Sequence, residues 1–372
     1  MSDRVTLNQL AQAAGVAKST VSYALRSDPR ISMETRARIQ QLAVELGYRA
    51  NPVVSHLMAQ LNSLKREEYQ GTIAYLTDSP EEGFWRQIPE FVRYWQGTAH
   101  RAWALGYQLE EFWLREPGMT AKRLSGILYN RGIRGVIVGP LTQAGTELNM
   151  DWERFSSVAI GYSMASPALH RVTHHHAHAM SLALKKLTER GYERIGMAMY
   201  SRMNARADHG WLYAYLKHEF DRCGEVGIPP LFMDDREPHE VRARQLEPWL
   251  KKYGVQAVVS ANSSVAEKLL PMLGYKIPAD LGYVYMAGVT GNDLGEQPSF
   301  SGIDQHGIQI GVAAADMVTA QIYRNEYGVP DFPKLTLMEG FWTEGKTAPG
   351  PVTPARPRRS REPRNVEALA GS

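Results

Sequence analysis

A short stretch near the amino terminus, Ala17-Lys-Ser-Thr-Val-Ser-Tyr-Ala-Leu25, carries Lys18, Ser19, Ser22 and Tyr23 on its outward positions if it is helical. One cation, two hydroxyls and a phenol are groups that reach base edges and phosphate oxygens of duplex DNA. A solvated helix in a structural bundle more often displays Glu and Lys pairs four residues apart. The choice of side chains therefore favours nucleic-acid reading. The helical spacing by itself also fits any small three-helix bundle.

Other residues in the chain are capable of chemistry but lack partners. His174, His175, His176 and His178 invite a metal reading, because His174 and His178 are four apart and would share a helix face. A divalent site needs a third ligand and supporting hydrogen bonds, and the sequence displays neither. Solvated or capping histidines are expected there, with a pH-sensitive contact left open. Cys223 is the single cysteine, which excludes an intramolecular disulfide or a multi-thiolate zinc site, and it is expected to pack at a helix end. There is no G-x-x-x-x-G-K loop, no G-x-S-x-G elbow and no metal triad, so neither an enzyme nor a cofactor is expected.

The elements that must position the outward face of 17–25 are legible around it. Leu7, Leu10, Ala11 and Ala14 form a helical stripe with Thr6 as N-cap and Gly15 as the stop. Asp28-Pro29 breaks the chain before a third helix, which starts at Ser32, carries the stripe Ile39, Leu42, Ala43 and Leu46, and stops at Gly47. Two helices across a tight glycine turn, completed by a third, make a helix-turn-helix unit. Charge supports the reading: nine basic residues against four acidic leave +5 on residues 1–66, within a chain whose total is only +3.

From residue 71 the texture changes to alternating strands and helices. Strands are expected at 72–76, 108–114, 135–138, 157–160, 194–199, 231–233, 257–260 and 282–286. Helices are expected at 91–105, 121–131, 177–190, 210–222, 240–253, 265–273 and 309–327. Such alternation implies parallel sheets with right-handed crossovers, and its length implies two α/β lobes with a cleft between them. The expected organisation is a headpiece at 1–50, a linker at 51–70, a two-lobed core at 71–348 and a disordered tail at 349–372 carrying five Pro and five Arg. No apolar run approaches the ~18 residues of a membrane helix, and the first residues are unlike a secretory signal, so a cytoplasmic location is expected.

The segment VTLNQLAQAAGVAKSTVSYALRSDPRISMETRARIQQLAVELGYRANP resembles the DNA-binding headpiece of the lactose-repressor (LacI/GalR) family of bacterial transcription regulators. The resemblance runs to about residue 348 through RGIRGVIVGP, LTERGYERIGM and EGKTAP. It implies a periplasmic-binding-protein-like core, a homodimer on a near-palindromic double-stranded operator, a small-molecule effector and no membrane. It assigns Lys18, Ser19 and Tyr23 to base edges, and Thr6 and Ser22 to phosphates or to anchoring the helix. Thr20 and Asn51 complete the DNA-contacting set together with Leu57, which would wedge into the minor groove from a hinge helix at 51–60. Leu57 and Leu61 as one face of an ordinary linker helix is the alternative. Val16, Val21 and Leu25 are core. Tyr23 stands where the family commonly has Arg, so the outer operator bases are expected to differ.

In the cleft the chain departs from its sugar-binding relatives. Asn262-Ser263-Ser264 and Met286-Ala287-Gly288-Val289 stand where those relatives carry acceptor carboxylates for sugar hydroxyls. Arg206 or Arg202, ahead of Gly210-Trp211, is the candidate for the family's cleft arginine, and Asn262 and Gln305 are further candidates for effector contact. These residues favour an aromatic-lined or anion-binding cleft over a simple hexose site. A solute-binding protein and a regulator with a core that no longer senses are the alternatives.

Overall fold

A computed structural model describes residues 5–25, 31–46, 48, 71–288 and 299–350. Its first helix opens on a reciprocal cap. The Thr6 hydroxyl accepts the Gln9 amide, and the Gln9 side chain accepts the Thr6 N–H at 2.7 Å. That helix, α1 (Leu7–Ala14), ends at Gly15 with φ 65°, a left-handed turn that glycine makes without strain. α2 (Lys18–Leu25) follows directly, and α3 (Met33–Glu45) starts beneath Ser32, whose hydroxyl accepts the Thr35 amide. Leu10, Ala11, Ala14, Val21, Ala24, Ile39 and Ala43 form one small core, with Val16, Leu25 and Leu42 packed against it. The stop expected at Gly47, the contacts expected of Asn51 and Leu57, the 51–70 segment, Val289 and the tail from residue 351 lie outside the described residues.

The first lobe begins with β1 (Gly71–Thr77), α4 (Pro89–Ala104), β2 (Tyr107–Trp113), α5 (Ala121–Asn130) and β3 (Gly135–Val138). It continues through the short β4 (Thr146–Glu147), β5 (Ser156–Ile160), the short β6 (Met164–Ser166) and β7 (His170–His174). The second lobe holds α6 (His176–Glu189), β8 (Ile195–Tyr200), α7 (Ser201–Arg206), α8 (Gly210–Cys223), β9 (Leu231–Met233), α9 (His239–Tyr253) and β10 (Ala257–Ser260). A π-helical turn at Val265–Leu269 leads into α10 (Leu270–Met272), then β11 (Gly282–Tyr285) and β12 (Ser301–Asp304). The chain returns to the first lobe with α11 (Gly307–Arg324) and β13 (Leu335–Met338), and ends in the second with β14 (Phe341–Thr343).

The two main sheets have the order β13-β7-β5-β3-β1-β2 and β14-β12-β11-β10-β8-β9. Every pairing in them is parallel except β12 with β14. Helices lie on both faces, so each sheet has two apolar sides: Ile73, Tyr75, Ile137 and Val158 on one, Ala74, Leu76, Val136 and Val138 on the other. The eight expected strands are all present within a residue or so. β4 and β6, which pair with each other, and β7, β12, β13 and β14 are additions, and the last four flank the places where the chain changes lobe.

Three connections link the lobes: His174 to His176, Asp304 to Gly307, and Met338 to Phe341. They run side by side. The His175 amide donates to the Met338 carbonyl at 2.8 Å, and a Cβ on Gly340 would fall 2.6 Å from the Asp304 carbonyl and 2.8 Å from the His174 ring. α4 and α11 cross at similarly close range. A Cβ on Gly97 would fall 1.9 Å from the Ile308 carbonyl oxygen, and one on Gly311 2.2 Å from that of Tyr94.

Candidate DNA interface and ligand pocket

α2 sits on the headpiece core through Val21 and Ala24, which leaves Lys18 and Ser19 exposed and Thr20 and Tyr23 half-buried. The short, capped α1 and the Gly15 turn fix the angle at which α2 leaves the core. The helix opens at Lys18, with Ala17 just before it. Thr6 spends its side chain on the α1 cap, bonding to the Gln9 amide and the Gln9 side chain. Of Ser22 the backbone is described, within α2.

In the core, a pocket of about 130 Å³ opens where β1, β3 and β8 end, the place where doubly wound sheets take ligands. Tyr75, Phe84, Trp85, Ile88 and Phe91 give it aromatic and apolar walls, Asp78, Ser79 and Thr142 a polar edge, and Arg202 and Arg206 enter from the second lobe on α7. Trp85 is held rigidly. Its ring nitrogen donates to Glu111 Oε1 at 2.5 Å, and its ring lies 5.4 Å from Trp95, which meets Tyr75 edge-on at 5.1 Å. The Arg206 guanidinium stacks over the Phe91 ring at 5.2 Å, so the two lobes touch through a cation–π contact. Burial, reinforced by the like charge of Arg202, pulls its pKa down to about 10, which leaves it charged at neutral pH.

Both expected arginines therefore line the pocket, while Asn262 and Gln305 do not. Gln305 is buried and donates to the Met286 carbonyl. Asn262 accepts the Tyr283 hydroxyl on its backbone carbonyl at 2.6 Å, and its side-chain nitrogen is buried without a partner. The aromatic wall of Trp85 and Phe84 escaped sequence reading because it sits in a single 3-10 turn, Phe84–Gln87, which is too short to show a period.

The histidine cluster corrects one expectation. His175 does cap α6, accepting the His178 amide on Nδ1 at 2.9 Å. His174, however, is 1% exposed with neither ring nitrogen hydrogen-bonded to a side chain or carbonyl, and His176 has a buried, unpartnered Nδ1. These two rings are packed rather than solvated, because β7 and the first turn of α6 pass beneath the inter-lobe connections. His176 meets Trp211 edge-on at 4.7 Å and His174 at 5.2 Å. Burial, then the neighbouring His175 and Arg206, pulls the His176 pKa down to about 3. His174 also falls well below the usual range, through burial and then His176. Glu90, at the start of α4, faces Gly307 at the start of α11 and Gly288 of the second lobe. Burial outweighs its Arg93 partner at 2.9 Å and raises its pKa to about 7. Cys223 ends α8 as expected but is exposed there rather than packed. Among the described residues no cluster of three or more His, Cys, Asp or Glu could hold a metal ion, and no helix is long and apolar enough to cross a membrane.

A capped helix-turn-helix unit on a chain with a two-lobed, periplasmic-binding-like α/β core defines the class of DNA-binding transcription regulators. Residues 6–51 match the family model described as bacterial regulatory proteins, lacI family. The chain is 25% identical over 335 residues to the HTH-type transcriptional regulator GalR of Streptococcus thermophilus, covering 85% of this chain and 92% of that one. It is 23% identical over 299 residues to the NTD biosynthesis operon regulator NtdR of Bacillus subtilis strain 168, covering 75% and 81%. Among solved structures it is similar to the complex of the transcriptional regulator CelR with cellobiose, with TM-score 0.58, 20% identity and coverage of 92% and 100%. The lac repressor dimer bound to operator and the anti-inducer ONPF gives TM-score 0.52, 17% identity and coverage of 93% and 99%. Residues 6–51 are a DNA-binding domain of the lacI type, and along most of its length the chain is similar to transcriptional regulators that carry one.

Proposed function

We propose that this regulator is a repressor, not an enzyme, and that it binds a near-palindromic operator in the cytoplasm as a homodimer under control of a small molecule held between the lobes. Residues 1–50 act as the headpiece, 51–70 as a hinge, 71–348 as the effector and dimerisation core, and 349–372 as a tail outside it. Lys18, Ser19 and Tyr23 read base edges from the major groove, Thr6, Thr20, Ser22 and Asn51 position the domain on the backbone, and Leu57 enters the minor groove. Arg202 and Arg206 contact the effector.

The observation that carries this reading is α2, whose apolar side closes the headpiece core while Lys18 and Ser19 stay exposed on a helix of fixed angle. Twofold reading heads fit twofold DNA, which supports the dimer. The pocket at the strand ends, with a charged group from each of two turns of α7, supports a core that still senses. Nuclease footprinting on DNA flanking the gene tests the proposal. Two protected half-sites related by a dyad are expected, and uniform or absent protection would refute it.

A further inference from the structure

The pocket's charges are unbalanced in one direction. Asp78 is neutralised by Arg115: Oδ1 accepts Arg115 Nε at 2.6 Å, and Oδ2 accepts the Thr142 amide at 3.2 Å and Arg115 at 3.3 Å. Glu111, behind the wall, accepts from Thr77, Trp85 and Arg86. Arg202 is paired with Asp235 at the mouth. Glu90 is paired with Arg93 through Oε2 and turned toward Gly288 and Gly307, outside the pocket lining, with Oε1 buried and unpartnered. Arg206 has no carboxylate partner among the described residues, and its buried Nε donates to nothing.

A largely buried guanidinium without a counter-charge keeps an unmet desolvation cost, which a carboxylate relieves through two parallel N–H···O bonds. A sugar would need acceptor carboxylates for its hydroxyls, and Asp78, the one carboxylate among the described residues that line the pocket, already accepts three bonds. The remaining walls, Tyr75, Trp85, Phe84, Ile88 and Phe91, suit a flat apolar body.

We infer that the effector is an organic monoanion, a carboxylate on a planar apolar body, with its carboxylate on Arg206 and its body against Phe91 and Trp85. This rests on the reading of the pocket as the effector site. The anion comes from the inter-lobe side, so it binds by completing the contact between α7 and α4.

The test is calorimetric titration of the full-length protein with benzoate, phenylacetate and indole-3-acetate, each beside its primary amide, and with glucose and cellobiose. At least one acid is expected to bind about tenfold or more tightly than its amide, in keeping with a charge-assisted pair, and more tightly than either sugar. Arg206→Gln is expected to erase the acid-over-amide preference, and Arg206→Lys, which keeps the charge without the fork, to retain part of it. Equal binding of acid and amide, tighter binding of a sugar, or no binding of any acid overturns the inference. A gel shift on the same preparation, with and without the bound acid, separates the two readings. Acid selectivity with unchanged operator affinity upholds the anion site and refutes its role as effector site.

Discussion

His176→Phe and Glu90→Gln should tilt the pH dependence of core stability in opposite directions. His176 is held neutral in the folded chain, its pKa pulled by burial from 6.5 to about 3. Its contribution is whole above pH 6.5 and is lost as pH falls toward 3, because the unfolded chain takes up a proton the folded one refuses. Between pH 7 and pH 5 that loss is about 2 kcal/mol, at about 1.4 kcal/mol per unit. Glu90 behaves in the opposite sense, raised by burial from 4.5 to about 7. It keeps its proton folded while the unfolded chain has released it, so the folded state is penalised increasingly as pH climbs from 4.5 through 7. Going down from pH 7 to pH 5 recovers about 2 kcal/mol. The assay is urea unfolding of the parent and both variants at the two pH values, read as differences from the parent so that groups distant from either site drop out. On acidification His176→Phe should gain about 2 kcal/mol relative to the parent and Glu90→Gln should lose about as much. Variants whose stability runs parallel to the parent's at both pH values would refute the assignment of these two buried groups.

Three further substitutions test other parts of the account. Gly97→Ala drives a methyl group to 1.9 Å from the Ile308 carbonyl oxygen, so it should force α4 and α11 apart and cost about 3 kcal/mol in thermal or urea unfolding. Tyr23→Ala should weaken operator binding about tenfold or more, and relax selectivity mainly at the bases beneath that position, in a binding assay over single-base operator variants. Leu57→Ala should lose more specific than non-specific DNA affinity, measured by competition against unrelated duplex, and equal losses would remove the wedge assignment.

The headpiece was legible because its signals are local: Thr6 and Gln9 for the cap, Gly15 for the turn, and stripes that fall on one face. The interior strands were legible because β1, β3 and β10 are continuous apolar runs covered on both sides. β7 (HRVTH), β12 (SGID) and the edge strands β13 and β14 were missed, since their pairing is imposed by the inter-lobe connections rather than by their own composition. The same holds at the site. Arg202 and Arg206 could be found from their place ahead of Gly210-Trp211, whereas the faces of Asn262 and Gln305 depend on tertiary contacts with Tyr283 and Met286. Burial of His174 and His176 follows from the crossing of three connections distant in sequence, which no local pattern reports.

The central claim is that the amino-terminal unit recognises a particular DNA sequence as a symmetric pair. Selection from a pool of randomised duplexes by the folded full-length protein tests it most directly. The account predicts enrichment of one near-palindromic site, with affinity that falls steeply as salt rises from low to physiological. Recovery of a pool as random as the one supplied, from protein whose circular dichroism shows it folded, would contradict it.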